Sequence, residues 1–206
     1  MKQPQRGFTL LELMLVVTIA GLLLGFGVPA MGNYIRNARI TGASNDVMAA
    51  LHFTRSEAIK RRQRVTLCTS TNALLANNNA NNAATCAASA LLTGWIVFVD
   101  LDQNGQRTGA DPILMNHEPM DARITARASG NPFLITYLDN GFALNAAASQ
   151  IVLCDARGNV ATGGQLSSAR GIQIAVTGRA GVTRDLAQVQ TLIDAINQTI
   201  GGCTVS

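Results

Sequence analysis

Residues 1–30 read MKQPQRGFTLLELMLVVTIAGLLLGFGVPA, a short basic leader that ends at Gly7 and an apolar run that begins at Phe8. One charged side chain, Glu12, interrupts the apolar run. A carboxylate in such a segment is costly and usually has a cationic partner. We therefore expect an apolar helix with one functional charge near its start. A plain membrane anchor with Glu12 among the lipid headgroups is the alternative.

The junction between leader and apolar run indicates how the chain is processed. A secretory signal peptide is cut after its apolar region, beside small residues, whereas the small residue here is Gly7, before that region. Cleavage after Gly7 removes the leader and keeps the apolar segment. The new amine of Phe8 is a cation, and Glu12 of a neighbouring copy can pair with it in an apolar fibre core.

This N-terminus resembles the class III signal of type IV prepilins and type II secretion pseudopilins. The matching residues are Gly7, Phe8, Thr9, Leu10, Glu12, Leu13 and Pro29. The resemblance implies that a prepilin peptidase cuts after Gly7 and methylates Phe8. It also implies a single pass through the inner membrane with a periplasmic C-terminal domain. Assembly with other major and minor pilins, or with pseudopilins, then follows.

The remaining chain is long enough for one domain with its own core. We expect a cleaved leader at 1–7, a hydrophobic helix half at 8–33 and a globular domain at 34–206. That domain includes the amphipathic second half of the helix, which extends to about Arg62. Side chains at steps of three and four predict its buried stripe. They are Ile40, Ala43, Val47, Leu51, Thr54 and Ala58.

Short β-prone runs with turns between them predict an antiparallel sheet domain, and hence an α+β fold. The runs are Arg64–Cys68, Gly94–Asp100, Ile113–Met115, Arg123–Ala126, Phe133–Leu138, Phe142–Leu144, Ile151–Cys154 and Gly171–Val176. The Asn/Ala-rich residues 72–90 predict a surface loop with nothing to bury. Apolar residues at helical spacing from Leu186 to Ile200, after a capping box of Asp185 and Gln188, predict a short C-terminal helix. A further strand there is the alternative.

The cysteines are four in number: Cys68, Cys86, Cys154 and Cys203. They lack C-x-x-C spacing and lie far from both histidines in sequence, so a zinc site is poorly supported. An even number in an exported chain predicts two disulfides. Of the three possible connectivities we favour Cys68–Cys86 with Cys154–Cys203. Four free buried thiols are the alternative.

A second resemblance covers most of the chain. It is carried by Arg55–Lys60 with Val65–Cys68, Gly94–Asp100, Leu153–Cys154 and Thr177–Arg179. These segments are similar to the GspH/FimT family of minor pilins and pseudopilins. The family implies a long helix packed on a sheet and a position near a filament tip. A type IV minor pilin that supports pilus assembly and priming is the leading hypothesis, and a GspH-type pseudopilin of type II secretion is the alternative.

In this family, FimT-type minor pilins of naturally competent bacteria bind DNA through a C-terminal Gly-Arg-x-Arg patch. The matching stretch here has Gly178 and Arg179, with the second arginine displaced to Arg184. Guanidinium groups on a glycine-rich loop can bind phosphates without reading sequence. The resemblance therefore implies that these residues contact double-stranded DNA during natural transformation. Solvated loop arginines are the alternative, and the basic run 60–64 is explained by the helix dipole.

Two further patterns have ordinary explanations. Asp100, Asp102, Asn104 and Asp111 have the spacing of a calcium loop, but the last ligand is Asp where Glu is usual. We prefer a polar hairpin there, with calcium as the alternative. No arrangement for nucleophilic catalysis is evident, and His52 lies on the long helix. We expect no enzyme activity, catalytic residue, metal or cofactor.

Overall fold

The computed structural model describes residues 8–89, 92–130, 133–144, 150–196 and 203. The chain divides into two compact units, Met1–Arg39 and Ile40–Ser206. Helix α1 spans Leu10–Arg61. Gly7 and the rest of the leader lie outside the described residues, as do Ile200 and Gly201.

In the first unit, α1 shows no buried face among its described side chains. Every side chain from Phe8 to Gly25 is exposed, and Phe8 itself is 84% exposed. No helix in the described part of the chain combines the length and hydropathy that a membrane span requires.

In the second unit, α1 buries the predicted stripe. Ile40, Leu51 and Ala58 are fully buried, and the other three predicted positions are buried as well. The helix ends at Arg61, and Arg62 takes a left-handed backbone conformation with φ 54°. The predicted stripe is therefore confirmed. Its positions share one face of the helix because they recur at the 3.6-residue period, and that face is buried.

In the part of the chain that the structure describes, eight strands form two antiparallel sheets, which confirms the α+β class. The first sheet has the order β3-β2-β1-β5 and the second β4-β6-β7-β8. Their bounds are β1 Val65–Thr69, β2 Trp95–Val99, β3 Ile113–His117, β4 Thr125–Ala128, β5 Leu134–Tyr137, β6 Gln150–Cys154, β7 Leu166–Ile174 and β8 Ala180–Asp185. Helix α2 spans Leu186–Ala195, capped by Asp185, whose side chain accepts from the Gln188 backbone N–H.

Two strand predictions were wrong. Residues Phe142–Leu144 form no strand of their own, and only Ala143 makes an isolated bridge, to Tyr137. Conversely, Ala180–Asp185 was expected to be loop but is strand β8, because it pairs back on β7 as a hairpin. Strand β7 also begins five residues before its predicted start, at Leu166.

The described residues form a core with three parts. The α1 stripe and the inner faces of both sheets form the largest cluster. Helix α2 and Cys203 cover the other face of the second sheet. The loop after β1 covers the outer face of the first sheet with the buried Ala73 and Ala84, so the expectation that this loop buries nothing was wrong.

Both favoured disulfides are bonded in the structure. Cys68 joins Cys86 with their Cα atoms 5.6 Å apart, and Cys154 joins Cys203 with their Cα atoms 5.8 Å apart. The first secures the Asn-rich loop against β1. The second links the chain beyond α2 to β6.

Candidate functional site

The start of α1 carries the candidate assembly residues. The backbone N–H of Glu12 donates to the Thr9 hydroxyl at 3.2 Å, and that of Leu13 donates to the Thr9 carbonyl at 3.1 Å. Thr9 is therefore the cap of α1, and Glu12 stands at the third helical position, where a carboxylate also complements the helix dipole. The T-x-x-E pattern is a cap signal that our sequence analysis missed. Phe8 and Glu12 are both exposed.

Gly178, the first candidate DNA residue, has a structural task. It is buried, with φ +79°, in the turn that joins β7 to β8, and its N–H donates to the Ala175 carbonyl at 2.8 Å. An added Cβ would collide with the carbonyl oxygen of Gly141. Glycine is therefore required for a close approach of two turns, and Gly178 does not offer a surface to DNA.

The two candidate arginines do not share one loop, which corrects our expectation. Arg179 is exposed just after the turn, whereas Arg184 is exposed within β8. Five residue steps of extended chain separate their Cα atoms by about 16 Å. Alternation along β8 places Arg184 on the face of the buried Ala180, whereas Arg179 precedes the strand. The two residues therefore do not form the single loop patch that we expected.

Arg179 borders a groove of about 710 Å³ beside the β7–β8 hairpin. Polar side chains from β6, β7, β8 and the first turn of α2 line this groove. The described lining residues are Gln150, Gln173, Ile174, Ala175, Val176, Thr177, Arg179, Ala180, Gly181, Val182, Thr183 and Gln188. Among them, Arg179 is the single charged residue.

Arg184 has a different neighbourhood, in which the buried Arg170 is central. Arg170 donates to the carbonyls of residues 167, 168 and 169 and to the Thr41 hydroxyl at 3.2 Å. Burial, with the nearby Arg184 and Arg157, lowers the pKa of Arg170 to about 10. These contacts cap carbonyls where the β7–β8 register shifts. Arg184 thus lies beside a cation with a structural role.

Arg55 positions the hairpin turn, and sequence analysis gave it no role. Its Nε donates to the Gly141 carbonyl at 3.1 Å, and its second guanidinium nitrogen donates to the Thr177 carbonyl at 3.1 Å. One side chain of α1 thus holds both turns that meet at Gly178. Arg55 belongs to a segment that carries the family resemblance, but its partners are more than eighty residues away in the chain.

The basic run at the end of α1 is partly neutralised. Glu57 accepts from Arg61 at 2.6 Å and from Lys60 at 3.3 Å. The hydrogen bond from Arg61 is the largest cause of the lowered pKa of Glu57. This arrangement agrees with a structural interpretation of the run.

The suspected calcium loop uses its carboxylates internally. Asp111 accepts from the backbone of Leu101 and from both the backbone and hydroxyl of Thr108. Asp100 accepts from the Gly105 backbone at 3.1 Å. Burial is the main cause that raises the pKa of Asp100. The strands on either side of this loop, β2 and β3, pair antiparallel. Within the described ranges, no group of three or more His, Cys, Asp or Glu side chains could hold a metal ion.

Comparisons with known proteins match both parts of the chain. The family model described as "Type II transport protein GspH" matches residues 43–178, and the "Prokaryotic N-terminal methylation motif" matches residues 2–28.

Curated relatives match short stretches. A type IV major fimbrial protein FimA of Dichelobacter nodosus is 49% identical over 41 residues, 20% of this chain and 26% of the relative. The prepilin peptidase-dependent protein D of Escherichia coli is 54% identical over 37 residues, 18% of this chain and 25% of the relative. The chain thus spans about a quarter of the length of these relatives.

Among solved structures, the type IV minor pilin FimU of Pseudomonas aeruginosa has the same fold. The TM-score is 0.51 at 18% identity, over 73% of this chain and 92% of that one.

Proposed function

Because the chain belongs to the GspH family of pilin-like proteins, we propose that it acts as a minor pilin of a type IV pilus. In this proposal, residues 8–33 hold the protein in the inner membrane until it enters the filament at or near the tip. There it supports priming and assembly with other major and minor pilins. It is a structural subunit and not an enzyme.

The exposed apolar start of α1 is the observation that carries this proposal. Its exposed large apolar side chains include Leu10, Leu11, Leu13, Met14 and Leu15, each at least 56% exposed. Exposure of this surface to water is unfavourable. Burying one side chain of this kind stabilises a protein by about 1.5–3 kcal/mol relative to leaving it exposed. The second unit already has a core that begins at Ile40. Lipid first, and neighbouring subunits later, are the environments that supply the missing contacts.

Glu12 gives the assembly step its charge pairing. A prepilin peptidase that acts on the methylation motif would leave a cationic, N-methylated Phe8. In an apolar filament core, Glu12 and that amine of a neighbour offset one another's desolvation. The match to the methylation motif and the relative named prepilin peptidase-dependent protein D support the same processing for this chain.

The family model's own description favours a second candidate, a minor pseudopilin of a type II secretion system. One experiment separates the two. Deletion of the gene should reduce surface pili and twitching motility while secretion of exported enzymes stays normal. Loss of secretion with normal piliation would instead establish the pseudopilin function.

Variants of the gene, introduced into the deletion strain, test the role of Glu12. Glu12→Ala should be made and inserted normally but be depleted from sheared filaments. Asp46→Ala, which removes an exposed acid from the second half of α1, is the matched control and should incorporate as the wild type does. Equal incorporation of both variants would contradict the pairing.

Sequence-independent binding of double-stranded DNA, during natural transformation, is the further part of the proposal. Its support is the exposed Arg179 beside a groove that glutamine and threonine side chains help to line. The gel shift of a DNA duplex by the protein, weakened by added salt, tests it.

A further inference from the structure

We propose that the groove beside α2 is the DNA-backbone site, and that Gln150, Gln173 and Gln188 bind a phosphodiester there together with Arg179. This inference rests on the DNA binding proposed above. It adds three residues to the site and removes Arg184 from it.

The fold brings these side chains together from three separate elements. Gln150 begins β6 and pairs with Gln173 of β7, which in turn pairs with Gly181 of β8. Gln188 lies in the first turn of α2, which follows β8 directly. A Cβ added at Gly181 would meet nothing within 4 Å. The groove is therefore open above Gly181 to a bulky ligand.

The hydrogen bonds of Thr183 and Gln188 leave donor groups free in the groove. The Thr183 hydroxyl donates to Oε1 of Gln188 at 2.7 Å and accepts from the Asp185 backbone at 3.2 Å. Because its oxygen is engaged, Gln188 offers its amide N–H groups to a ligand. Arg179 can only donate, and no described lining residue is a carboxylate. Such a surface suits a group with several acceptor oxygens and a negative charge, as a phosphodiester has.

Arg184 is left out by its position. It does not line the groove, and it lies near the buried Arg170.

Two properties of binding follow. Arg179 is the single cation among the described lining residues. Its contact with one phosphate should therefore contribute about 0.9 to the magnitude of the slope of log affinity against log salt. The described lining has no aromatic side chain, so bases cannot stack and single strands should gain no preference over duplexes.

The test compares charge changes inside and outside the groove. The affinity of the full-length protein in detergent for a short labelled DNA duplex is measured over a series of salt concentrations. Gln173→Lys adds a cation to the groove, and Gln106→Lys adds the same charge to the exposed β2–β3 loop. Gln173→Lys should tighten binding and steepen the salt slope by about 0.9, whereas Gln106→Lys should leave the slope unchanged. Arg179→Ala should flatten the slope by about the same amount, and Arg184→Ala should have no effect.

The outcomes separate the two proposals. If the wild type binds DNA but the Gln173 and Gln106 variants behave alike, the groove is the wrong site while DNA binding stands. A slope change with Arg184→Ala alone would also overturn the groove. If the wild type shows no shift at the lowest salt, DNA binding itself fails, and the groove assignment with it. Thermal unfolding of each variant checks that Gln173, an exposed position, tolerates the changes.

Discussion

The two parts of α1 treat apolar side chains in opposite ways. From Leu10 to Gly25 the described side chains are exposed on all sides, whereas from Ile40 onward one stripe is buried and the rest faces outward. The spacing of apolar residues in the sequence shows this difference. An apolar run without a polar face needs partners outside the chain to bury it, whereas a stripe at helical spacing can be buried by its own domain. In our proposal the first part serves assembly, whereas the second part packs on its own domain.

The largest expected effect comes from truncating the stripe. Leu51 is fully buried, so Leu51→Ala should cost about 2–5 kcal/mol of unfolding free energy. Leu15→Ala, the same change at a 56% exposed position in the first part, should leave the unfolding of the domain unchanged. Denaturant unfolding followed by the fluorescence of Trp95 measures both. Similar losses of unfolding free energy in the two variants would contradict the distinction between the two parts of α1.

A smaller effect is expected from glycines. Gly178→Ala should cost roughly 2 kcal/mol or more, since a side chain at φ +79° is strained and would meet the Gly141 carbonyl. Gly25→Ala is the matched change in the first part, where a Cβ would meet nothing, and it should not destabilise the helix because Ala has the higher helix propensity. Melting temperatures of the two variants compare them directly. A harmless Gly178→Ala would show that the two turns do not meet closely.

The smallest effect concerns a buried carboxylate. Burial raises the pKa of Asp100 above its ordinary value, so the folded state holds the proton more tightly than the unfolded state does. Stability then falls as pH rises from the ordinary value through the raised one, and Asp100 costs stability at neutral pH. Asp100→Asn keeps an acceptor for the Gly105 N–H and should raise the melting temperature at pH 7.

The advantage of Asp100→Asn should disappear at a pH below the ordinary aspartate pKa, where both proteins are neutral at this position. Asp46→Asn, at an exposed position of α1, is the control and should change little at either pH. A variant with the same advantage at both pH values would show that the charge of Asp100 is not the cause.

The periodicity of α1 and the cap of α2 could be predicted from the sequence because they are local, and the Thr9 cap of α1 was missed although its signal is equally local. The stripe from Ile40 to Ala58 and the Asp185 cap of α2 followed from spacing alone. Strand β8 could not, because its residues AGVTRD contain no β-prone run and become a strand only by pairing with β7. The groove could not be predicted either, because Gln150, Gln173 and Gln188 come to line one groove only in the folded protein. The roles of Arg55 and Arg170 likewise depend on distant backbone carbonyls.

Filament assembly through the first part of α1 is tested most directly by the N-terminus of the protein in sheared pili. Mass spectrometry should find a chain that begins at an N-methylated Phe8, with the leader through Gly7 removed. A filament fraction whose copies begin beyond Ala30, without the apolar segment, would contradict the account.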